Sequence, residues 1–267
     1  MDFSDQVVLV TGASAGIGKA IAELLAEHGA TLALVGRNAE NLRMVAEKCR
    51  GVKGKDVLEI VSDLATDDGC EQIAKATVQR FGRLDVLINN AGMGARTCIQ
   101  RAEMTTFDEV FNTNVRGVYN LTRLLVPELI KSKGNIVNVS SVSAYMTSVG
   151  SLPYSMSKAA LDHFTRCIAL ELAPLGVRVN TISPGVTRTT FVQRLTGYDS
   201  SQYESWLSDA ARGIPLGRVC DAAEIARMVA CVAWSGASAV TGAILPVDGG
   251  LALAGVGHSD IMTRQMK

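Results

Sequence analysis

The sequence predicts an α/β fold, a doubly wound parallel sheet of about seven strands with helices on both faces. Three observations carry that prediction. Short β-branched and leucine-rich runs alternate with stretches of helical length from the amino terminus to about residue 250. The first run passes directly into a glycine-rich turn that opens a helix. At 267 residues, 48% of them apolar, the chain has ample material for a core, and no linker, repeat or second domain interrupts residues 1–267.

Val7-Val8-Leu9-Val10 reads as a strand buried on both faces, followed at once by Thr11-Gly12-Ala13-Ser14-Ala15-Gly16-Ile17-Gly18. The helix after it runs from about Ile17 to His28 and stops at Gly29, a residue suited to a left-handed cap. Thr31–Val35 is the second strand, completing a βαβ unit of the size that a dinucleotide loop requires. The glycines let backbone approach a pyrophosphate closely and aim N–H groups at it; the plainer alternative is a tight turn that needs positive φ.

The alternation continues with a helix near Glu40 to Arg50 and a strand Val57–Val61, then a helix about Asp67 to Phe81 and a strand Leu84–Ile88. Asp63 and Asn89-Asn90-Ala91-Gly92 follow strands and fall on the carboxyl edge, where such sheets bind ligands. A helix about Phe107 to Lys131 carries Asn112, Asn114, Arg116 and Asn120 among apolar positions. Spacing alone reads Asn114 as a buried, locally bonded polar group. The strand Asn135–Val139 delivers Ser140 and Ser141 to the same edge, and a helix from Tyr154 to about Leu175 is apolar nearly all round. Val177–Ile182 is a sixth strand, ended by Pro184-Gly185. The segment from about 186 to 215 lacks strong periodicity and reads as a substrate-binding lid. A helix about Ala222 to Trp234 and a strand Ala243–Val247 finish the unit; the tail after Ala254 is unassigned.

Composition excludes several function classes. Equal numbers of basic and acidic side chains, 26 each and without blocks, leave no electrostatic footprint for nucleic acid or an anionic membrane. Six scattered cysteines contain no Cys-x-x-Cys pair, so neither a metal site nor a disulfide framework is expected and a reducing compartment fits. No apolar run approaches the ~18 residues of a membrane span, and the chain is expected to be soluble and cytoplasmic.

The chemistry centres on Tyr154-Ser155-Met156-Ser157-Lys158. A spacing of four residues puts phenol and ammonium on one helical face, and a cation near a phenol favours the phenolate, lowering a pKa of about 10 towards neutrality. That is general acid/base chemistry on a substrate oxygen. Gly12-Ala13-Ser14-Ala15-Gly16 also matches a hydrolase nucleophile elbow. That reading fails because only six residues precede the first strand, and His28, His163 and His258 show no triad placement.

Thr11-Gly12-x-x-x-Gly16-x-Gly18, Asn89-Asn90-Ala91-Gly92, Ser141, Tyr154-x-x-x-Lys158 and Pro184-Gly185, in this order over about residues 4 to 252, resemble the short-chain dehydrogenase/reductase family. In detail the chain looks like its 3-oxoacyl-carrier-protein reductases and small carbonyl and steroid reductases. The resemblance implies a single-domain Rossmann-type fold and a catalytic tetrad of Asn114, Ser141, Tyr154 and Lys158. It implies cofactor contacts from Gly12, Ser14, Gly16, Ile17, Gly18, Asn90, Ala91, Gly92, Pro184, Gly185, Val186 and Thr189, with Asp63 and Leu64 at the adenine. Enoyl reductases of the family space Tyr and Lys more widely, so carbonyl/alcohol chemistry is expected; a module that binds cofactor without turnover is the competing class.

NADP(H) is expected rather than NAD(H), because Gly36-Arg37-Asn38 stands about twenty residues past the loop, where an NAD enzyme carries an acid. Arg37, with Ser14, suits a 2′-phosphate. The two long helices carry more apolar surface than one side of a sheet covers, and relatives pair such helices, so a homotetramer is expected. Phe191, Val192, Leu195, Tyr203, Trp206 and Leu207 predict a predominantly apolar carbonyl or alcohol substrate, with a 3-oxoacyl thioester as the alternative.

Overall fold

The computed structural model describes residues 1–52 and 56–254. His258 and the tail after Ala254 lie outside them. The sheet has seven strands, β1 (Val7–Thr11), β2 (Thr31–Gly36), β3 (Val57–Val61), β4 (Val86–Asn89), β5 (Asn135–Val139), β6 (Arg178–Pro184) and a last strand, Ile244–Val247. They lie in the order β3-β2-β1-β4-β5-β6-last, and every pairing is parallel. A parallel sheet covered on both faces needs continuous apolar strands, and every residue of β1 and of β5 is buried.

Between the strands run α1 (Gly16–Glu27), α2 (Ala39–Arg50), α3 (Asp67–Phe81), α4 (Met104–Phe111), α5 (Gly117–Ser132) and α6 (Leu152–Leu172). Ile21, Leu25, Leu42 and Val45 of α1 and α2 build the core on one face; Ile73, Leu121, Leu125 and Leu161 of α3, α5 and α6 build it on the other. Local signals set the boundaries. Asn38 accepts the Asn41 N–H to start α2, Thr66 accepts the Gly69 N–H to start α3, and Gly82 at φ 67° ends α3.

Two segments depart from the sequence reading. The helix expected from Phe107 to Lys131 begins at Met104 and is broken by a π-turn, Asn112–Arg116, with Asn114 at its centre. Its apolar periodicity runs through the turn, which is why the sequence reads as one helix.

The segment 186–215 is more ordered than a loop. Short strands β7 (Thr187–Arg188) and β8 (Cys220–Asp221) pair, with α7 (Thr190–Thr196) and α8 (Ser200–Arg212) between them. Asp199 and Gln202 form a reciprocal capping box that starts α8, a signal visible in the sequence as Asp-x-x-Gln. Helix α9 (Ala222–Ala233) leads to the last strand, here β9 (Ile244–Val247). No helix among the described residues is long and apolar enough to cross a membrane.

Candidate active site

The strand order reverses between β1 and β4, opening a crevice at their carboxyl ends. Gly12 takes φ +67°, and a Cβ on Gly18 would lie 2.2 Å from the Gly12 carbonyl oxygen, so neither position tolerates a side chain. The Thr11 hydroxyl accepts the N–H groups of Asn90 and Ala91, each at 3.0 Å, and stitches the two strand ends together. The Asn90 amide donates to the Thr11 carbonyl at 2.9 Å and the Gly12 carbonyl at 3.3 Å, so it braces the loop. Ala15 gives α1 no side-chain cap, and no acid stands in its first turn. A cradle without side-chain bulk and an uncapped helix N-terminus fit a pyrophosphate.

Around the ends of β2 and β3, Ser14 packs on Gly36: a Cβ there would meet its Oγ at 3.1 Å. The Arg37 side chain is 68% exposed and its guanidinium lies 3.7 Å from the Asp63 carboxylate. Leu64 is buried against Gly117. The residues expected at the adenosine end are therefore together.

The expected tetrad also converges. Ser141 ends the β5 connection and its Oγ accepts the Ser143 N–H at 3.1 Å. Lys158, 3% exposed, donates from Nζ to the Val139 carbonyl at 2.9 Å, and its Nζ stands 5.7 Å from the Tyr154 ring centre. Asn114, fully buried, is bonded far from home rather than locally: it accepts the Met93 N–H and donates to the Met93 carbonyl, both at 2.8 Å, and donates to Ser157 Oγ at 2.9 Å. Ser157 in turn donates to the Tyr154 carbonyl at 2.7 Å. A Cβ on Gly92 would lie 3.4 Å from Lys158 Nζ and 3.6 Å from Asn114 Oδ1, so Gly92 closes the floor of the site.

Burial governs the titration of this pair. It pushes the Tyr154 phenol above its ordinary value, with the Ser141 hydroxyl pulling the other way. It also brings Lys158 down to about 8, opposed by the Asp162 carboxylate. The expected lowering of the phenol by its cation is not what this geometry gives, because the ammonium is bonded to Val139 rather than to the phenol.

The segment 186–215 begins where Gly185 N–H bonds Val247 and Val186 accepts the Cys220 N–H. Thr189 caps α7 beside Gly16, and the Tyr203 hydroxyl clamps it, accepting its N–H at 2.9 Å and donating to its carbonyl at 2.7 Å. Trp206, expected to face a ligand, stacks on Tyr203 with ring centres 6.3 Å apart. Phe191 instead approaches the chemistry, its ring centre 5.8 Å from that of Tyr154. Arg188 and Arg212 are tied to Glu204 and Asp209, and Arg194 donates to the Thr190 carbonyl, so these guanidinium groups are engaged within the segment itself.

Sequence reasoning missed two members of this arrangement, the bracing hydroxyl of Thr11 and the linking hydroxyl of Ser157. Each has a signal: Thr11 ends a strand beside the loop, and Ser157 follows Tyr154 by three residues within one helical turn.

A family model described as enoyl-(acyl carrier protein) reductase matches residues 12–252. The chain is 36% identical over 254 residues to the 3-oxoacyl-[acyl-carrier-protein] reductase FabG of Thermotoga maritima, covering 95% of this chain and 100% of that protein. Among solved structures, it resembles a short-chain dehydrogenase/reductase of Caenorhabditis elegans with cofactor, at TM-score 0.90 and 33% identity over 96% of this chain and 98% of that one. The L-sorbose reductase of Gluconobacter frateurii, complexed with NADPH and L-sorbose, follows at TM-score 0.89 and 31% identity over 94% and 98%. The 3-ketoacyl-(acyl-carrier-protein) reductase of Brucella melitensis complexed with NADH gives 0.84 and 29% over 93% and 99%.

Proposed function

The chain belongs to the short-chain dehydrogenase/reductase family, and from that premise we propose that it interconverts a predominantly apolar ketone or aldehyde with its alcohol, using NADP(H). That it is an oxidoreductase of carbonyl and hydroxyl groups follows from the family. The finer reading rests on one observation, the Phe191 ring 5.8 Å from that of Tyr154 in a lid whose basic groups are engaged elsewhere.

NADP(H), when bound, supplies or accepts the hydride. The chain does the rest. Tyr154 gives its proton to the carbonyl oxygen, and Ser141 donates a hydrogen bond to the same oxygen as it gains charge. Lys158 would hold the nicotinamide ribose, and it keeps a positive charge 5.7 Å from the Tyr154 ring centre when the phenol gives up its proton. Asn114, held on the π-turn, keeps a water in line for reprotonation. Gly12, Gly16, Ile17 and Gly18 would cradle the pyrophosphate, Asn90, Ala91 and Gly92 would line the ribose side, and Pro184, Gly185, Val186 and Thr189 would border the nicotinamide. Ser14 and Arg37 would take the 2′-phosphate, a reading supported by the exposed Arg37 guanidinium at the ends of β2 and β3.

A 3-oxoacyl thioester is the second reading for the substrate, favoured by the Thermotoga relative. The sorbose reductase, complexed with L-sorbose, is a relative whose ketone is hydrophilic. A panel of bulky apolar ketones, 3-oxoacyl thioesters and ketoses, followed by NADPH oxidation, separates the three. Turnover confined to ketoses overturns the apolar reading, and Tyr154→Phe with wild-type rates overturns the mechanism and leaves the cofactor-binding module in its place. The same reading makes the protein a cytoplasmic homotetramer with a lid at about 186–215 in a single domain.

A further inference from the structure

Asp162 lies on α6 one turn beyond Lys158, four residues on and so on the same helical face. It is 6% exposed, and its Oδ1 is buried without a hydrogen-bond partner. Burial pushes the Asp162 carboxyl above its ordinary value, while the Ser140 hydroxyl and the Arg166 and Lys158 charges pull the other way and favour its ionised form; among the described residues no salt bridge takes it up. The titratable and charged groups facing it are Lys158 and Arg166 on α6, Tyr145 in the turn after β5 and Asp248 after β9.

Asp248 does not answer it, since its two oxygens accept the N–H groups of Gly250 and Ala252 at 2.9 and 2.8 Å. Tyr145 is a neutral phenol, pushed up to about 12 by burial with the two carboxylates adding to it. Arg166 is exposed at the rim of a cavity of about 560 Å³ that Asp162, Tyr145 and Asp248 also line. Inward, Asp162 has the Ser140 hydroxyl, which donates to the Lys158 carbonyl at 3.3 Å and precedes Ser141. The carboxylate thus shares a face of α6 with Lys158 and lines that cavity with Tyr145 and Asp248.

We propose that Asp162 is a positioning residue for the Tyr154–Lys158 pair, supplying from one turn along α6 the negative charge that keeps the Lys158 ammonium protonated in its buried seat. It rests on the reading of that pair as the proton-transfer machinery. Burial drives Lys158 down to about 8, and Asp162 is the group that acts against it. Removing a negative charge beside two coupled groups makes loss of the first proton easier, whichever of them holds it. The form that reduces a ketone, with phenol and ammonium both protonated, then survives over a narrower range of pH.

The test is the pH profile of ketone reduction by wild type, Asp162→Asn, Asp162→Glu and Tyr154→Phe. In Asp162→Asn the high-pH limb should move about one unit towards acid, the size expected for one nearby charge. Asp162→Glu should restore it, and at pH 6, where Lys158 is protonated with or without the carboxylate, NADPH binding by fluorescence should match wild type in the two Asp162 variants. A limb that does not move in Asp162→Asn overturns the inference, whether or not kcat falls, because a merely structural carboxylate would lower the rate without shifting the profile. Should the Asn variant lose its thermal transition, Asp162→Leu, which buries no unpaired polar group, takes its place with the same expected shift. An active Tyr154→Phe would instead overturn the underlying reading, so the two failures are distinguishable.

Discussion

The Lys158 ammonium donates to the Val139 carbonyl at 2.9 Å, inside the protein and one strand end away from Ser141. Its folded pKa of about 8 lies below the ordinary 10.5, so between these values the unfolded chain holds more protons and stability rises with pH. Below about 8 both states are protonated and the cost is constant; above 10.5 it is gone. Over that window wild type should gain up to about 3 kcal/mol relative to Lys158→Met, which carries no charge. Urea unfolding at several pH values from 7 to 10.5 reads this directly. Parallel stability curves for the two proteins would refute it.

Arg37 is the exposed cation beside Ser14 and Gly36, and a guanidinium bonded to a phosphate contributes about 1.5–3 kcal/mol. Arg37→Ala should therefore raise KM for NADPH by roughly 10- to 150-fold. KM for NADH should barely change or should fall, since Asp63, the carboxylate 3.7 Å from this guanidinium, loses its partner. Initial rates with both cofactors decide it. An unchanged cofactor preference would place Arg37 outside the 2′-phosphate site.

What the sequence shows and what it conceals have different physical origins. The strands of the sheet are legible because burial on both faces forces continuous apolar runs such as Val7–Val10. Gly12 and Gly18 are legible because no other residue fits where a Cβ would strike backbone at 2.2–2.9 Å. The π-turn at Asn114 is hidden, since one extra residue in a helical turn leaves composition and periodicity almost unchanged. The pairing of Asn114 with Met93 and Ser157 spans 21 and 43 residues, which no local pattern records. The placing of the aromatics is hidden for a related reason: each advertises apolar surface, but only the fold decides that Trp206 stacks on Tyr203 and that Phe191 faces Tyr154.

The Phe191 ring packs against the backbone of Gly94. A Cβ on Gly94 would lie 2.7 Å from Phe191 Cζ and 3.6 Å from Leu195 Cδ2, so Gly94→Ala must lift the ring off its seat. Phe191→Ala removes the ring instead and opens the space above Tyr154. On the proposed function the two variants should diverge from wild type in the same direction for bulky apolar ketones, with KM rising roughly 5- to 50-fold once the aromatic ring no longer packs on the substrate. Activity on a small ketone such as acetone should be little altered. Equal effects on large and small substrates would show that Phe191 packs the protein and does not select the ligand.

The outer faces of α4, α5 and α6 carry the last prediction. Met104, Tyr119, Met156 and Leu170 are exposed there, Leu170 at 82%, although α6 is apolar enough to have suggested burial all round. Tyr119 and Phe164 sit side by side across α5 and α6, ring centres 5.8 Å apart, so the apolar surface is continuous between the helices. Water contact over such a face is unfavourable at about 25 cal/mol per Å², and pairing it with a second copy across a two-fold axis removes it from both chains at once. Leu170→Glu places a carboxylate on that face, where two copies paired across it would bring like charges together. Light scattering should find four chains in the wild type and a smaller species in the variant, with the thermal midpoint lowered. A wild type that elutes as a monomer at micromolar concentration, or a Leu170→Glu variant of unchanged mass, would show that these helices face solvent.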